Sequence, residues 1–307
     1  MKNTSSKVIF IIILLLCLLG VLNSPLALLT GFIFTILFGN PFLRQSQKGI
    51  QYLLKIAVVG LGFGMSLIET LETSLEGLSL TTLSIFLTVA LGLLVGKYMQ
   101  LDKKLSHLIT SGTTICGGSA IAAVSPIIKA EPKTISIALG IVFFLNSVAL
   151  FIFPGLGHYF NLSQSDFGLW CAVAIHDTSS VVGAALQYGE EALLIATTVK
   201  LSRTLWIIPL SIFSMFLFKN KTDKIKIPWF ILGFIVAILI NSYDLIPNNW
   251  STNIVFVSKR LLILTLFLVG TTLSIKQLKE TGLKPFLFAV VLWVFISSLS
   301  LLYILKF

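Results

Sequence analysis

Charged side chains are scarce in this sequence. Only 11% of its 307 residues are Asp, Glu, Lys or Arg, whereas a soluble globular domain carries roughly 25%. The hydrophobic fraction is 56% and the mean hydropathy is +0.99. This composition excludes an ordinary soluble domain and predicts an all-α integral membrane protein.

The sequence also has little cysteine and no metal-binding pattern. Cys17, Cys116 and Cys171 lie in apolar segments, with no C-x-x-C pair and no Cys/His spacing typical of zinc. No phosphate-binding loop or nucleophile elbow is present, which argues against an intramembrane enzyme. We therefore expect no disulfide framework, no metal, no cofactor and no enzymatic activity.

A continuous basic arm is missing, although the formal net charge is +10. The basic residues are scattered in short loops between apolar runs, which is typical of charges that set membrane topology. We therefore expect a lipid bilayer, and no nucleic acid, as the surroundings of this protein.

Eleven apolar segments are candidates for transmembrane helices. The first, 7–22, follows Lys2 and Lys7 without a cleavage site, so we interpret it as a retained helix added to a body of about 25–305. No soluble domain or long linker is visible, which predicts one integral membrane domain over 1–307. The segments are 7–22, 25–41, 49–68, 78–98, 107–128, 134–154, 166–188, 191–217, 227–243, 254–274 and 284–305.

Basic residues are distributed unequally between the two sides that eleven crossings would create. Fourteen loop residues fall on the side of the N-terminus, and three, Lys129, Lys133 and Lys306, fall on the other. Under the positive-inside rule, the N-terminus is cytoplasmic and the C-terminus lies outside.

A weak internal echo accompanies this topology. PLALLTGFIFTILFGN (25–40) resembles PWFILGFIVAILINS (228–242), and VVGLGFGMSLI (58–68) resembles FLVGTTLSI (267–275). The paired segments would run in opposite directions, as in the inverted repeats of secondary transporters. Apolar segments also match by chance, so both interpretations stay open.

Segment 107–128 does not have the composition of a plain helix. Adjacent glycines weaken a helix, and Pro126 removes a backbone hydrogen bond. An interruption would expose amides at a new helix N-terminus, where anions bind. The alternative is close helix packing through small residues. The predicted substrate-binding residues here are Thr113, Thr114, Cys116, Gly117, Gly118 and Ser119.

Segment 166–188 contains ionisable residues in an apolar context. His176 and Asp177 are adjacent, and buried ionisable groups in membranes are usually functional. We predict that this pair couples transport to protons and that Thr178 and Ser179 contribute to substrate binding. The alternative is a short interfacial loop between two half-helices, with the charges in headgroup water.

Lys200 and Arg203 are three residues apart, and therefore lie on one helical face deep within segment 191–217. Together they would suit a doubly charged oxyanion, and we predict that both bind substrate. The alternative is an internal salt bridge from Asp177 to either cation. Asn146 is interpreted as an interhelical hydrogen-bonding residue.

Three motifs give the chain a family resemblance: TICGGSAIAAVSPII (114–128), AIHDTSSVVGAA (174–185) and TTVKLSR (197–203). In order and separation they resemble the YeiH-like sulfate exporters of bacteria, over roughly 20–305. The chain departs from that pattern at Ser180, where many relatives carry glutamine. The resemblance implies a bacterial cell-membrane protein, a panel domain and a core domain, interrupted helices that cross near the midplane, and elevator-like movement of the core.

The function expected from residues and resemblance is secondary transport. The leading hypothesis is export of a small inorganic or organic anion, such as sulfate or a related sulfur oxyanion or sulfonate, coupled to protons. The alternative is a cation/proton antiporter that uses Asp177 as its carboxylate, Lys200 as its charge-balancing partner and sodium as its cation. A passive channel is a further alternative. The resemblance also implies the architecture of sodium/proton antiporters and bile-acid symporters, and by analogy with it a homodimer is expected.

Overall fold

Every regular element in the computed structural model of this chain is helical over the residues that it describes, which are 2–219, 229–272 and 282–306. This confirms the all-α prediction. The helices are α1 (Lys2–Leu19), α2 (Ser24–Phe38), α3 (Leu43–Leu61), α4 (Leu67–Tyr98), α5 (Lys103–Thr114), α6 (Gly118–Ile127), α7 (Pro132–Tyr159), α8 (Gln164–Ala174), α9 (Thr178–Tyr188), α10 (Glu190–Thr204), α11 (Ile207–Phe218), α12 (Trp229–Ser242), α13 (Asn248–Thr272) and α14 (Leu283–Lys306), with a 3-10 turn at Gly62–Gly64.

Several helices have the length and composition of membrane spans. Large apolar side chains such as Leu94 and Phe216 are exposed on their outer faces, as lipid contact requires. These features support a multi-pass membrane protein. The long apolar stretches are Gly77–Tyr98, Lys133–Tyr159, Glu190–Phe218, Asn248–Thr272 and Leu283–Lys306, and shorter ones include Ser6–Leu19, Leu26–Phe38 and Leu232–Ser242.

Helices α5 and α6 form a hairpin that returns to the end from which it starts. The Lys104 ammonium, at the start of α5, donates to the Lys129 carbonyl just beyond α6 at 2.8 Å. A straight continuation would separate these residues by roughly 38 Å at 1.5 Å per residue. Gly112 also packs against Ile121 across the turn. We call α5–α6 hairpin 1 and the end at Lys104 and Lys129 the lysine end.

Helices α8 and α9 form a second hairpin, which starts from the opposite end of the molecule. The Tyr188 hydroxyl, at the end of α9, donates to the Leu162 carbonyl before α8 at 2.7 Å, and its ring stacks on Phe167 with centroids 3.7 Å apart. We call α8–α9 hairpin 2 and this end the Leu162 end. Helix α7, about 42 Å long at 1.5 Å per residue, connects the two ends.

The expectation of eleven crossing segments is therefore wrong for 107–128 and 166–188, which are interrupted but fold back. The physical reason is that each break lets the chain reverse, so the second half-helix packs antiparallel to the first. Lys129 and Lys133 consequently move to the lysine end. This strengthens the charge asymmetry that the sequence predicts, because two of the three exceptions disappear.

The basic residues of the remaining loops agree with this arrangement. Lys7 lies over the Phe42 ring, and the Asn40 amide donates to the Thr271 carbonyl at 3.0 Å, so α1 starts, α2 ends and α13 ends on one side. The Lys259–Glu190 ion pair places the earlier part of α13 toward the Leu162 end. Lys221, Lys224, Lys226, Lys276 and Lys279, which contribute to the predicted asymmetry, lie outside the described residues.

The helices form two packed groups. In the first, α13 packs on α1, α2 and α3, and α12 packs on α3; in the second, α4, α10, α11 and α14 surround the two hairpins and α7. The groups meet mainly where α9 contacts α13 and α2. An inverted repeat of the echoed segments would relate α2 to α12 and the end of α3 to the end of α13. The packing of α2 on α13 and of α12 on α3 is consistent with that relation. Residues 228 and 273–275 of that echo lie outside the described chain.

Candidate functional site

The tips of the two hairpins meet inside the protein. Gly117 forms the turn of hairpin 1 with φ 60° and ψ −120°, and a Cβ on it would lie 3.4 Å from Asp177 Cα in the tip of hairpin 2. The positive φ favours glycine at this turn, and the distance shows that the two tips are in van der Waals contact. The predicted interruption at Gly117–Gly118 is confirmed. The tips bring the C-termini of α5 and α8 and the N-termini of α6 and α9 into one region.

Lys200 on α10 binds the C-terminal ends of both hairpins' first helices. Its side chain is fully buried, and its ammonium donates to the carbonyls of Ile115 at 2.9 Å, Ala172 at 3.2 Å and Ile175 at 2.7 Å. Helix C-termini carry partial negative charge and unsatisfied carbonyls, so the cation compensates both. All three ammonium protons are used, and Lys200 is thus a clamp that joins the tips.

Arg203 lies on the same face of α10 and binds hairpin 1. Its guanidinium donates from Nη2 to the Thr114 carbonyl at 2.6 Å and from Nη1 to the Ser84 hydroxyl on α4 at 3.1 Å. The side chain is fully buried, and its Nε–H has no partner within the described residues. Unlike Lys200, Arg203 keeps a free donor.

Asp177 occupies the N-terminus of α9 as its N-cap. Its Oδ2 accepts from the Ser179 backbone N–H at 3.1 Å and from the Ser179 hydroxyl. The residue is half-buried, and it forms no ion pair with Lys200 or Arg203. The alternative of an internal salt bridge from Asp177 is therefore not what the structure shows.

His176 is fully buried at the tip of hairpin 2. Neither of its ring nitrogens has a partner in the part of the chain that the structure describes. Its backbone N–H donates to Asn146 Oδ1 on α7 at 3.0 Å. The alternative of an interfacial loop in headgroup water is inconsistent with this burial.

The remaining predicted residues all belong to the tips but differ in accessibility. The Thr114 hydroxyl donates to the Thr110 carbonyl at 2.6 Å, whereas the buried Thr113 hydroxyl lacks a partner among the described residues. Cys116, Thr178 and Ser179 are buried, Gly118 is half-buried and Ser119 is exposed. Ser119 therefore faces away from the packed centre.

Two residues of the site were missed or undervalued in the sequence. Ser84 binds Arg203 and Asn146 binds the tip of hairpin 2, but other hydroxyl residues lie near both in their helices, such as Thr81 before Ser84 and Ser147 after Asn146. Nothing in their local sequence distinguishes them from ordinary polar residues that satisfy a neighbouring helix.

The buried cations at the tips outnumber the carboxylate. Two buried cations, Lys200 and Arg203, face helix C-termini, while one carboxylate, Asp177, faces a helix N-terminus. In the described ranges, the ion pair present is Lys259–Glu190, which lies elsewhere. Helix termini carry roughly half a charge each, negative at the C-termini of α5 and α8 and positive at the N-termini of α6 and α9. These four contributions cancel, so the two cations exceed the one carboxylate in this region.

Comparisons with known proteins agree with a membrane role. A family model described as "Conserved hypothetical protein 698" matches residues 7–289. The chain is 47% identical over 285 residues to a UPF0324 membrane protein of Bacteroides thetaiotaomicron, with 92% of this chain and 86% of the relative covered. It is 48% identical over 301 residues to one of Photobacterium profundum, with 98% and 92% covered.

A third relative, a UPF0324 membrane protein of Bdellovibrio bacteriovorus, is 45% identical over 308 residues, with 98% of this chain and 94% of the relative covered. No solved structure matches the chain. The chain belongs to the conserved hypothetical protein 698 family.

Proposed function

We propose that this member of the conserved hypothetical protein 698 family is a secondary transporter that exports a small anion, such as sulfate or a related sulfur oxyanion or sulfonate. The observation that carries the proposal is the buried positive charge at the hairpin tips. Lys200 and Arg203 are fully buried, and no carboxylate pairs with them among the described residues. An anion entering this region would be attracted by both cations and could accept from the Nε–H of Arg203, which the described residues leave unpartnered.

The hairpins suggest how the site reaches both sides of the membrane. Hairpin 1 starts at the lysine end and hairpin 2 starts at the Leu162 end. Each hairpin therefore lies between the meeting point of the tips and one side of the membrane. In the proposed cycle, the group built around the hairpins is the core and the group built around α13 is the panel. The core moves against the panel in an elevator-like step, as the family resemblance implies.

His176 and Asp177 are the proposed coupling residues. Asp177 is half-buried beside Gly117, and His176 has two unpartnered ring nitrogens among the described residues. A proton taken up by either group changes the charge of the tip by one unit. Protons and anions would therefore influence each other's binding, which is the requirement for coupled transport.

A cation/proton antiporter is the second candidate, and the half-buried Asp177 carboxylate favours it. Ser179 offers a hydroxyl beside that carboxylate, and oxygen ligands of this kind suit sodium. Lys200 would then balance the charge. Arg203 is the argument for the anion, because its Nε–H is a buried donor that a cation cannot use.

The orientation and assembly are part of the proposal. We infer that the lysine-rich end faces the cytoplasm of a bacterial cell, with the N-terminus inside and the C-terminus outside, and the positive-inside rule supports this orientation. A homodimer is proposed by analogy with other secondary transporters.

A thermal-shift panel on the purified protein tests the substrate class. Sulfate, sulfite, thiosulfate, taurine, sodium and lithium would be compared at matched ionic strength and two pH values, since ligands of the folded state raise the melting temperature. We expect a shift with a sulfur oxyanion that is lost in Arg203→Gln. A shift with sodium alone, lost in Asp177→Asn, would replace the anion proposal with the antiporter.

A further inference from the structure

Asn146, near the middle of α7, has a defined orientation in the structure. Its side-chain oxygen accepts from the backbone N–H groups of His176 at 3.0 Å and Asp177 at 3.3 Å. Two backbone donors fix which amide atom is the oxygen, because a flipped amide would place donor against donor. The carbonyl of Asn146 therefore holds the tip of hairpin 2, and its NH₂ group points elsewhere.

That NH₂ group is a buried donor. Asn146 is 2% exposed, and its Nδ2 has no hydrogen-bond partner in the described ranges. Buried polar groups in native proteins are nearly always satisfied. An unfilled donor at this depth indicates a place for a ligand or a water molecule.

Two further groups close to the tips are also unsatisfied. Among the described residues, neither the Nε–H of Arg203, which binds the tip of hairpin 1, nor the ring nitrogens of His176 have a hydrogen-bond partner. Each is at least 98% buried, as is Asn146. Donors on α7, α10 and hairpin 2 surround the same pair of tips, and an anion with several oxygens accepts from donors that approach from different directions.

We propose that Asn146 is both a positioning residue and a ligand-binding residue of the transport site. Its carbonyl fixes the tip of hairpin 2, and its NH₂ group donates to an oxygen of the bound oxyanion. This inference rests on the proposed anion transport. It adds a contact from α7, which lies between the hairpins and belongs to neither.

Substitutions separate the two roles. Asn146→Asp keeps a side-chain oxygen for the two backbone N–H groups but loses the NH₂ donor, whereas Asn146→Ala loses both. We expect both variants to lower the melting temperature without ligand, Asn146→Ala because hairpin 2 loses its anchor and Asn146→Asp because a carboxylate is buried. Sulfate affinity, from thermal-shift titration against chloride at matched ionic strength, should fall at least tenfold in both variants. Ser147→Ala is the control, because that hydroxyl bonds within its own helix.

The outcomes distinguish the alternatives. Wild-type affinity in Asn146→Asp would limit Asn146 to a structural role, and wild-type affinity in Asn146→Ala would overturn the proposal. If the wild type binds neither sulfate nor thiosulfate, the anion function fails, while the melting temperatures still test the positioning role.

A direct readout covers the case in which these variants do not fold. Selective ¹⁵N-asparagine labelling of the wild type allows solid-state NMR of side-chain amides in liposomes, with a folded Asn146→Gln variant for assignment. We expect one buried Nδ2 resonance to move at saturating sulfate and not at equal chloride. No movement of any buried asparagine Nδ2 resonance would refute the contact.

Discussion

Replacement of Lys200 by methionine tests whether this residue clamps the hairpins. The substitution keeps an unbranched side chain of similar length and removes the ammonium. Three carbonyls, from Ile115, Ala172 and Ile175, then lose their common donor in a fully buried environment. These carbonyls lie at the C-terminal ends of α5 and α8, which belong to different hairpins. The loss of the ammonium therefore affects both tips together.

The expected loss can be worked from these contacts. A hydrogen bond to a charged group contributes about 1.5–3 kcal/mol, so three bonds set a scale of roughly 5 kcal/mol or more. Removal of the lysine also recovers the cost of burying its charge, which offsets part of this loss. We expect a net destabilisation of about 3 kcal/mol, consistent with breaking a buried ionic contact. For a chain of 307 residues, that corresponds to a decrease in melting temperature of about 5 °C.

The assay is thermal unfolding of the purified protein in detergent, followed by intrinsic fluorescence. Lys97→Met is the matched control, because Lys97 is exposed in the last turn of α4 and its loss should change stability by less than about 0.5 kcal/mol. A decrease below about 2 °C in Lys200→Met, equal to the control, would refute the clamp. Retained tip stability with lost anion binding would instead assign Lys200 directly to the ligand.

Three further predictions follow from other parts of the fold. Gly117→Ala forces a side chain into a left-handed conformation against Asp177, so its melting temperature should fall by an amount equivalent to about 1–3 kcal/mol, whereas an unchanged value would contradict the tip geometry. Cysteines introduced at Lys103 and Lys133 should react with an impermeant maleimide from one side of the membrane, and a cysteine at Asn161 should react from the other side. Labelling of positions 103 and 133 from opposite sides would show that segment 107–128 crosses the membrane and does not fold back. Glu190→Gln removes an ion pair whose carboxylate side chain is 83% exposed, so unfolding should change by less than about 1 kcal/mol, and a larger loss would show that the Lys259–Glu190 contact holds the two helix groups together.

The breaks in the helices were predictable from the sequence, but the direction of the chain after each break was not. Gly117 and Gly118 weaken a helix wherever they lie, and the polar run from His176 to Ser180 interrupts an apolar segment. Hydropathy measures length and polarity and is the same for a crossing segment and for a hairpin of equal length. Each fold-back removes one membrane crossing, and two of them leave the number of crossings odd. The termini would therefore lie on opposite sides in both arrangements.

One sequence signal did point to the hairpins. Lys129 and Lys133 were exceptions to the predicted charge asymmetry, and a fold-back of segment 107–128 removes both. The contacts of the site required the structure, because Lys200 binds carbonyls that are 25, 28 and 85 residues away in the chain. Asn146 illustrates the same limit, since one amide in an apolar helix has no pattern of its own.

The measurement that tests the central claim most directly is exchange of radiolabelled sulfate by purified protein in liposomes. Vesicles loaded with unlabelled sulfate would be diluted into labelled sulfate, for the wild type and for Arg203→Gln, with Lys97→Met as the control. Our account predicts accumulation of label in the wild type and the control, reduced at least tenfold in Arg203→Gln. Equal accumulation by Arg203→Gln, or sodium-dependent proton flux without exchange of sulfate, sulfite, thiosulfate or taurine, would contradict an anion carrier built on the buried cations of the hairpin tips.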